Sequence, residues 1–450
     1  MIATDQRLRS GGVWAFTIKS FAVVAALALN IVLARVLPPA DLGTYFTVFS
    51  IVGVLAVVAQ FGLQRAVIRY VASDLAEGRP GAARQIISKV FIHGFVGAAV
   101  VAIIIITGGG ERIANIVLST RSISALLPFI AAWVAAQSIL SLTAETVRSL
   151  ADIRSATFIA DLLFSILFLI ALCTMWFARG ASTLQEVILT ATSAMVVALV
   201  FALVILRRRL PTKEAQESSS QRAFYSFAAP LWAASILAIV WSNGDIWVLS
   251  AIRESPDVAV YGAAVRLAGF MVFPLLISNA VVPPLIVEHW VTRDLVSLQT
   301  MLRSVASLTS MVSVGLIMTY LFFADQILGL VYGNYYEKSA AVLLILSVGQ
   351  LGNVLAGSVG FVLMMTGNQV IFMIISAISS ILLIVGSILL APEYGAKGVA
   401  FAAASANILQ NFLMLLAVRN RLGIWVNADF NLKLAFRLLI KPQGGEAQGL

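Results

Sequence analysis

The chain has 450 residues, of which 60% are hydrophobic and only 11% charged, whereas soluble domains carry about 25% charged residues. That composition excludes a soluble globular protein, and a single cysteine, Cys173, excludes an internal disulfide framework or thiolate metal site. The net charge of +9 is accounted for below without a nucleic-acid partner.

Apolar residues come in blocks of about 20, the length a helix needs to cross about 30 Å of hydrocarbon. Runs such as VVAIIIIT (100–107) and ILLIVGSILL (381–390) do not alternate, so the pattern is helical and not that of a membrane barrel. Twelve spans are predicted: 13–36, 42–62, 86–107, 122–143, 156–176, 187–206, 223–250, 259–287, 304–324, 340–365, 369–390 and 397–418. The first run is too long, and too closely followed by others, for a cleaved leader. An even number of spans puts both termini on one side. With that side cytoplasmic, 21 of the 30 Lys and Arg lie inside and seven outside, and Lys19 and Arg266 lie within spans. The positive charge is thus topological bias facing anionic lipid.

The segment 207–222, RRRLPTKEAQESSSQR, divides the chain into an N-terminal lobe (1–206), a linker (207–222), a C-terminal lobe (223–418) and a tail (419–450). At an offset of 216, VLARVLPPADLGTYFTVFSIVG (32–53) aligns with VLSAIRESPDVAVYGAAVRLAG (248–269), matching Val32, Leu33, Asp41, Tyr45 and Gly53 to Val248, Leu249, Asp257, Tyr261 and Gly269. Six spans per half make both halves enter from the same side, which predicts parallel repeats about an axis along the membrane normal, with a central cleft.

The connecting segments leave no room for a soluble catalytic domain, and no phosphate-binding loop, zinc pair or nucleophile elbow is present. No cofactor or metal is expected. His93 and His289 stand alone at span edges and read as structural or interfacial.

A charge at the bilayer centre costs roughly 2.5–3.5 kcal/mol on insertion scales, so ionisable residues within spans tend to face a bundle interior or wet cavity. Lys19 either snorkels to the interface or faces inward. Asn30, eleven residues on, falls within about 20° of it on the helical wheel and favours the inward face. Asp245 in IVWSNGDIWVL and Arg266 in VYGAAVRLAG lie on successive spans, where they form an ion pair or a ligand or coupling site. Asp161 reads as interfacial. Gln350 and Asn353, and Asn407, Gln410 and Asn411, hydrogen-bond neighbouring helices or line a polar passage. Pro128, Pro230, Pro274, Pro283 and Pro284 are expected to kink spans. LQRAVIRYVASDLAEGR (63–79) and NADFNLKLAFRLLIKP (427–442) are predicted as amphipathic helices on the cytoplasmic surface.

LARVLPPADLGTYFTVFSIVGVLAVVAQFGLQRAVIRYVA (33–72) resembles the first hairpin of polysaccharide-repeat flippases in the multidrug, oligosaccharidyl-lipid and polysaccharide exporter superfamily. The family pattern is A-R-x-L-G-P-x-x-x-G-x-Y followed by G-L-x-x-A, with Pro38 here in place of the first glycine. DIWVLSAIRESPDVAVYGAAVRL (245–267), residues 323–368 and YGAKGVAFAAASA (394–406) are similar to later family signatures. The resemblance implies an all-α, two-lobed transporter of twelve helices that moves a polyprenyl-pyrophosphate-linked oligosaccharide between leaflets of the inner membrane by alternating access. It also implies a polysaccharide polymerase and glycosyltransferases as partners.

An anionic pyrophosphate suits a cation in a low-dielectric cleft, so the expected substrate cavity comprises Lys19, Asn30, Arg266, Asn407 and Asn411. The alternative is a cation-coupled multidrug antiporter using Asp245. A membrane polymerase or ligase would need a large outer catalytic loop, which is missing from the predicted layout.

Overall fold

The computed structural model describes the chain except residues 1, 113–120, 212–220, 280 and 430–450, and for residues 2–13, 15, 16, 121–123 and 221–227 it describes the backbone alone. Among the described residues the regular structure is helical. Eleven helices there are long and apolar enough to cross a membrane, which makes this a multi-pass membrane protein. The last of them, Gln369–Leu422, is broken at Gly395 (φ 55°, ψ −136°) and contains the predicted eleventh and twelfth spans.

The elements are α1 (Ile2–Val36), α2 (Pro39–Ala59), α3 (Leu63–Ala76), α4 (Pro80–Ile104), α5 (Leu127–Ser149), α6 (Ile153–Thr157) with a π-turn over Phe158–Leu162, α7 (Leu163–Arg179) and α8 (Leu184–Arg209). There follow α9 (Gln221–Ile252), α10 (Ser255–Gly269), α11 (Phe273–Ser278), α12 (Val282–Val291), α13 (Leu295–Tyr332), α14 (Ala340–Ala356), α15 (Val359–Met365) and α16 (Gln369–Leu422).

The prolines differ from expectation in an instructive way. Pro128, Pro274 and Pro283 sit in the first turns of α5, α11 and α12, where the missing N–H has no intrahelical acceptor to lose. They start helices instead of kinking them, and the predicted eighth span is divided among α10, α11 and α12. Pro230 does lie inside a helix.

Between α2 and α3, Phe61 (φ 47°) and Gly62 (φ 73°) are both left-handed and end the helix. A Cβ at Gly62 would meet the Ala228 carbonyl oxygen at 2.2 Å, so glycine is required there by both conformation and space. Helix α3 then buries Leu63, Ala66, Val67 and Val71, spaced by helical turns, against α4 and α5. It forms, as the pattern predicts, and its apolar face is taken up by protein.

The offset of 216 recurs in the element boundaries. Val36 ends α1 and Ile252 ends α9; Pro39 begins α2 and Ser255 begins α10; Ser149 ends α5 and Met365 ends α15; Ile153 begins α6 and Gln369 begins α16. Left-handed Ala151 (φ 62°) has its counterpart in Gly367 (φ 83°). Asp41 and Asp257 occupy the first turns of α2 and α10, and Tyr45 and Tyr261 are 2% and 0% exposed. Such agreement in turns, caps and core positions is what two copies of one structural repeat produce.

By internal packing the chain forms two compact units, residues 1–262 with 331–335, and residues 263–330 with 336–450. The first contains the α3–α4–α5 core and a contact of α1 with the α6–α7 region. The second is built on Val282, Ile286, Leu298, Leu302, Val359, Leu363 and Val418. Beyond α16, Gly423 (φ 76°) turns the chain back, and buried Ile424 and Val426 join that core. The strap is pinned by the Trp425 N–H on Gln299 Oε1 (2.9 Å), the Ala428 N–H on the Leu355 carbonyl (2.9 Å) and Asp429 beside Arg303 (3.3 Å). Of the predicted tail helix 427–442, residues 427–429 are non-helical and the rest lies outside the described residues.

Candidate functional site

Helix α1 has three distinguishable sides. Ile18, Ala22, Leu29, Val32, Leu33 and Val36 are buried, and on a wheel of 100° per residue they form one stripe about 100° wide, whose edge at Leu33 lies about 40° from Lys19. Ile18 and Ala22 in that stripe pack on Phe158, Leu162 and Ile166. Phe21 and Val24 are large exposed apolar residues. Lys19 is exposed and Asn30 half-buried, and these two lie about 120–180° around the helix from Phe21 and Val24. The Asn30 amide donates to the Ala26 carbonyl at 2.6 Å. The cation and the amide thus share a face that is neither the packing stripe nor the exposed apolar side.

Asp245 is only 9% exposed. Its carboxylate accepts from Tyr261 Oη at 2.6 Å and from the Ile246 N–H at 2.8 Å. Arg266, half-buried, stands five residues beyond Tyr261 on α10, about 140° around that helix. Tyr261 was visible in the sequence as a repeat position and was not read as a partner for Asp245.

In the second unit the amides form a ladder. Asn411 Nδ2 donates to Asn407 Oδ1 (2.8 Å), and Asn407 Nδ2 and Asn353 Nδ2 both donate to Gln350 Oε1 (3.3 and 3.5 Å), joining α16 to α14. Gln410 Nε2 donates to Ser376 Oγ at 3.2 Å. These bonds are those expected of amides that bridge membrane helices.

Three features escaped the sequence reading. Buried Gln60 at the α2–α3 break donates through Nε2 to the Ser138 carbonyl (3.2 Å), fixing the break to α5. Glu145 pairs with Arg148 at 2.8 Å, within electrostatic reach of Arg65 and Asp161. Finally, Tyr45, Phe49, Trp133, Phe164 and Phe168 form one aromatic cluster; their dispersal over three helices hid it. Among the described residues no group of His, Cys, Asp or Glu could hold a metal ion. His93 Nδ1 donates to the Lys89 carbonyl at 2.7 Å.

The fold is that of known transporters. A multidrug resistance MATE family transporter of the MOP superfamily, in an inward-facing conformation, superposes with a TM-score of 0.72 at 15% identity, over 92% of this chain and 98% of that one. The lipid II flippase MurJ, in an inward closed conformation, gives 0.71 at 13% identity over 90% and 87% of the two chains. A MOP superfamily transporter from Pyrococcus furiosus, described by the reversed polarity of its binding pocket, gives 0.62 at 16% over 93% and 95%. No curated protein matches in sequence. The family model described as polysaccharide biosynthesis protein matches residues 8–290, more than half of the chain, and together with the helical repeat and the superfamily's fold it establishes that the chain belongs to the polysaccharide biosynthesis protein family.

Proposed function

We propose that this protein flips polyprenyl-pyrophosphate-linked oligosaccharides across the cytoplasmic membrane by alternating access during polysaccharide synthesis. Its two six-helix repeats, 1–206 and 223–418, would be joined by the linker 207–222, with both termini cytoplasmic. Family membership and the fold shared with a lipid II flippase support a transporter of lipid-linked substrate. The observation that carries the reading is the placement of Lys19 and Asn30 on the side of α1 away from Phe21 and Val24. A lysine turned from lipid toward an aqueous cavity is a fixed positive charge where a pyrophosphate loses its hydration shell. Arg266, Asn407 and Asn411 serve the same substrate, the amides through exchangeable hydrogen bonds. Polymerase and glycosyltransferases act before and after it on the same glycolipids.

The fold alone is shared with drug exporters. What favours a lipid-linked anion over an organic cation is that the span Thr17–Val36 carries Lys19 and no carboxylate. The test is complementation of a deletion strain. Lys19→Ala should leave membrane insertion intact and lipid-linked repeats trapped on the inner leaflet, while Lys19→Arg restores export. Normal export by Lys19→Ala, or drug resistance without glycan export by the wild type, would overturn the proposal.

A further inference from the structure

We propose that the amide ladder of Gln350, Asn353, Asn407 and Asn411 recognises sugar hydroxyls of the transported glycan. The inference rests on the function proposed above and assigns the ladder as the part of the second unit that distinguishes a glycosylated lipid from the bare lipid pyrophosphate.

The internal repeat shows that the fold does not need amides at these places. The offset of 216 sets α14 over α5, with Gln350 on Val134 and Asn353 on Gln137. In the last span of each half the offset is 212: EVILTATSAMVVALVFALVILRRRL (186–210) aligns with GVAFAAASANILQNFLMLLAVRNRL (398–422), matching Val187, Ser193, Arg207, Arg209 and Leu210 to Val399, Ser405, Arg419, Arg421 and Leu422. The exposed positions agree too, Val196, Val197 and Val200 with Ile408, Leu409 and Phe412. Asn407 then corresponds to Met195. Val134 and Met195 are both 0% exposed, so the first copy fills with apolar side chains the two positions where the second carries Gln350 and Asn407. Nor do the amides hold α14 to α16. Gly349, whose Cβ would stand 2.7 Å from Ala404 Cα, already brings the two helices into close packing.

The ladder lies well inside apolar spans. Gln350 is ten residues into α14 and Asn407 twelve beyond the break at Gly395, about 15 and 18 Å along their helices at 1.5 Å per residue. On the wheel, Gln350 is about 160° from exposed Val348, and Asn407 about 100–160° from exposed Phe401, Ile408, Leu409 and Phe412. The amides are thus turned from the apolar outer sides of both helices, yet Gln350, Asn353 and Asn407 are half-buried and not sealed. Gln350 accepts two hydrogen bonds at Oε1, while its Nε2 donates to no described residue. A free amide N–H in hydrocarbon goes uncompensated. The open part of the ladder therefore meets water or a polar ligand.

The chemistry of the ladder selects the ligand. Neutral amides offer both donors and acceptors and no charge. A pyrophosphate is better served by a fixed cation such as Lys19, an organic cation by a carboxylate, and a polyprenyl tail has no group to bond. A sugar hydroxyl donates and accepts at once, so it can take the free Gln350 donors or replace one amide partner for another. Membership of a polysaccharide biosynthesis family makes a glycan the fitting occupant.

The test uses the full-length protein in detergent and two probes, the lipid-linked repeat extracted from the deletion strain and polyprenyl pyrophosphate without sugar. The paired variant Gln350→Val with Asn407→Met writes the first copy's residues into the second. It removes hydrogen-bonding partners together, which is nearly neutral for stability, so its melting temperature should stay close to that of the wild type. Its affinity for the lipid-linked repeat should fall about ten-fold, the size of one or two lost hydrogen bonds, with affinity for the bare lipid unchanged. Gln350→Leu alone should lose about three-fold in the same selective way, and it keeps the test decisive if the paired variant is unstable. Gln350→Cys in a Cys173→Ala background should react with a water-soluble thiol reagent and be shielded by the lipid-linked repeat but not by the bare lipid. Equal losses for the two lipids, full affinity for the lipid-linked repeat in the variants, or no reaction at Gln350→Cys would overturn the inference. A deletion strain that accumulates no lipid-linked repeat, or a wild type that binds neither probe, would overturn the underlying function and this site with it.

Discussion

Tyr261 donates its phenolic hydrogen to Asp245 across 2.6 Å, tying α10 to α9 at a level where both side chains are buried. Removing the hydroxyl leaves an acceptor buried without its donor, which costs about 1–3 kcal/mol. Tyr261→Phe should therefore lower the melting temperature of the purified protein, and adding Asp245→Leu should recover part of the loss. Additive destabilisation in the double variant would show that the two residues are not coupled.

Gly43 makes a second close contact in the same region. A Cβ there would stand 1.8 Å from the Ser255 carbonyl oxygen, and Thr44 Oγ1 donates to Ser255 Oγ at 3.1 Å. Gly43→Ala forces backbone apart and should destabilise the protein by about 1–3 kcal/mol, as overpacking does. Gly53 faces only the Ile239 side-chain tip at 3.6 Å, so Gly53→Ala is the tolerated control. Equal melting temperatures for the two variants would contradict the packing described.

Asp429 accepts from Ser307 Oγ at 3.0 Å, and its own N–H donates back to that oxygen at 3.0 Å. Asp429→Ala should release the strap 423–429, seen as faster hydrogen exchange at Val426 and Ala428 and a loss of about 1–3 kcal/mol. Exchange unchanged from wild type would mean that the buried Ile424 and Val426 hold the strap unaided.

Asp294 begins α13 and accepts from the Ser297 N–H at 3.0 Å. The hydrogen bonds from Ser297 hold its carboxyl below the ordinary value of 3.8. A depressed folded-state value means that the stabilisation is fully present above 3.8 and is lost as pH falls through the folded-state value. The wild type should lose protection at the start of α13 in that acidic window, and Asp294→Asn, which caps without titrating, should not. A parallel loss in the Asp294→Asn variant would refute the assignment.

The helical class, the spans and the repeat were legible because each has a strong physical signature. A 20-residue apolar run has few alternatives, and Asp41 and Tyr45 recur as Asp257 and Tyr261 in a chain where both residue types are scarce. The glycine of the G-L-x-x-A pattern also proved local: Gly62 is left-handed and crowded by Ala228, with Leu63 and Ala66 buried after it. Helix breaks were harder to read. Pro274 and Pro283 indicate a disturbed span, but whether a proline kinks a helix or starts one depends on the turn before it. Contacts between distant helices were least legible, because hydropathy does not distinguish Phe49, 42% exposed, from Phe46, buried three residues earlier.

The central claim is that the Lys19 face of α1 meets water and its opposite face meets lipid. Single cysteines at Lys19, Asn30, Phe21 and Val24, made in a Cys173→Ala background and exposed to a water-soluble thiol reagent in membranes, test it most directly. The account predicts labelling of Lys19→Cys and Asn30→Cys, and none of Phe21→Cys or Val24→Cys. Reaction at Lys19→Cys with none at Asn30→Cys, eleven residues deeper, would show a lysine that only reaches the interface and would contradict the proposed cavity.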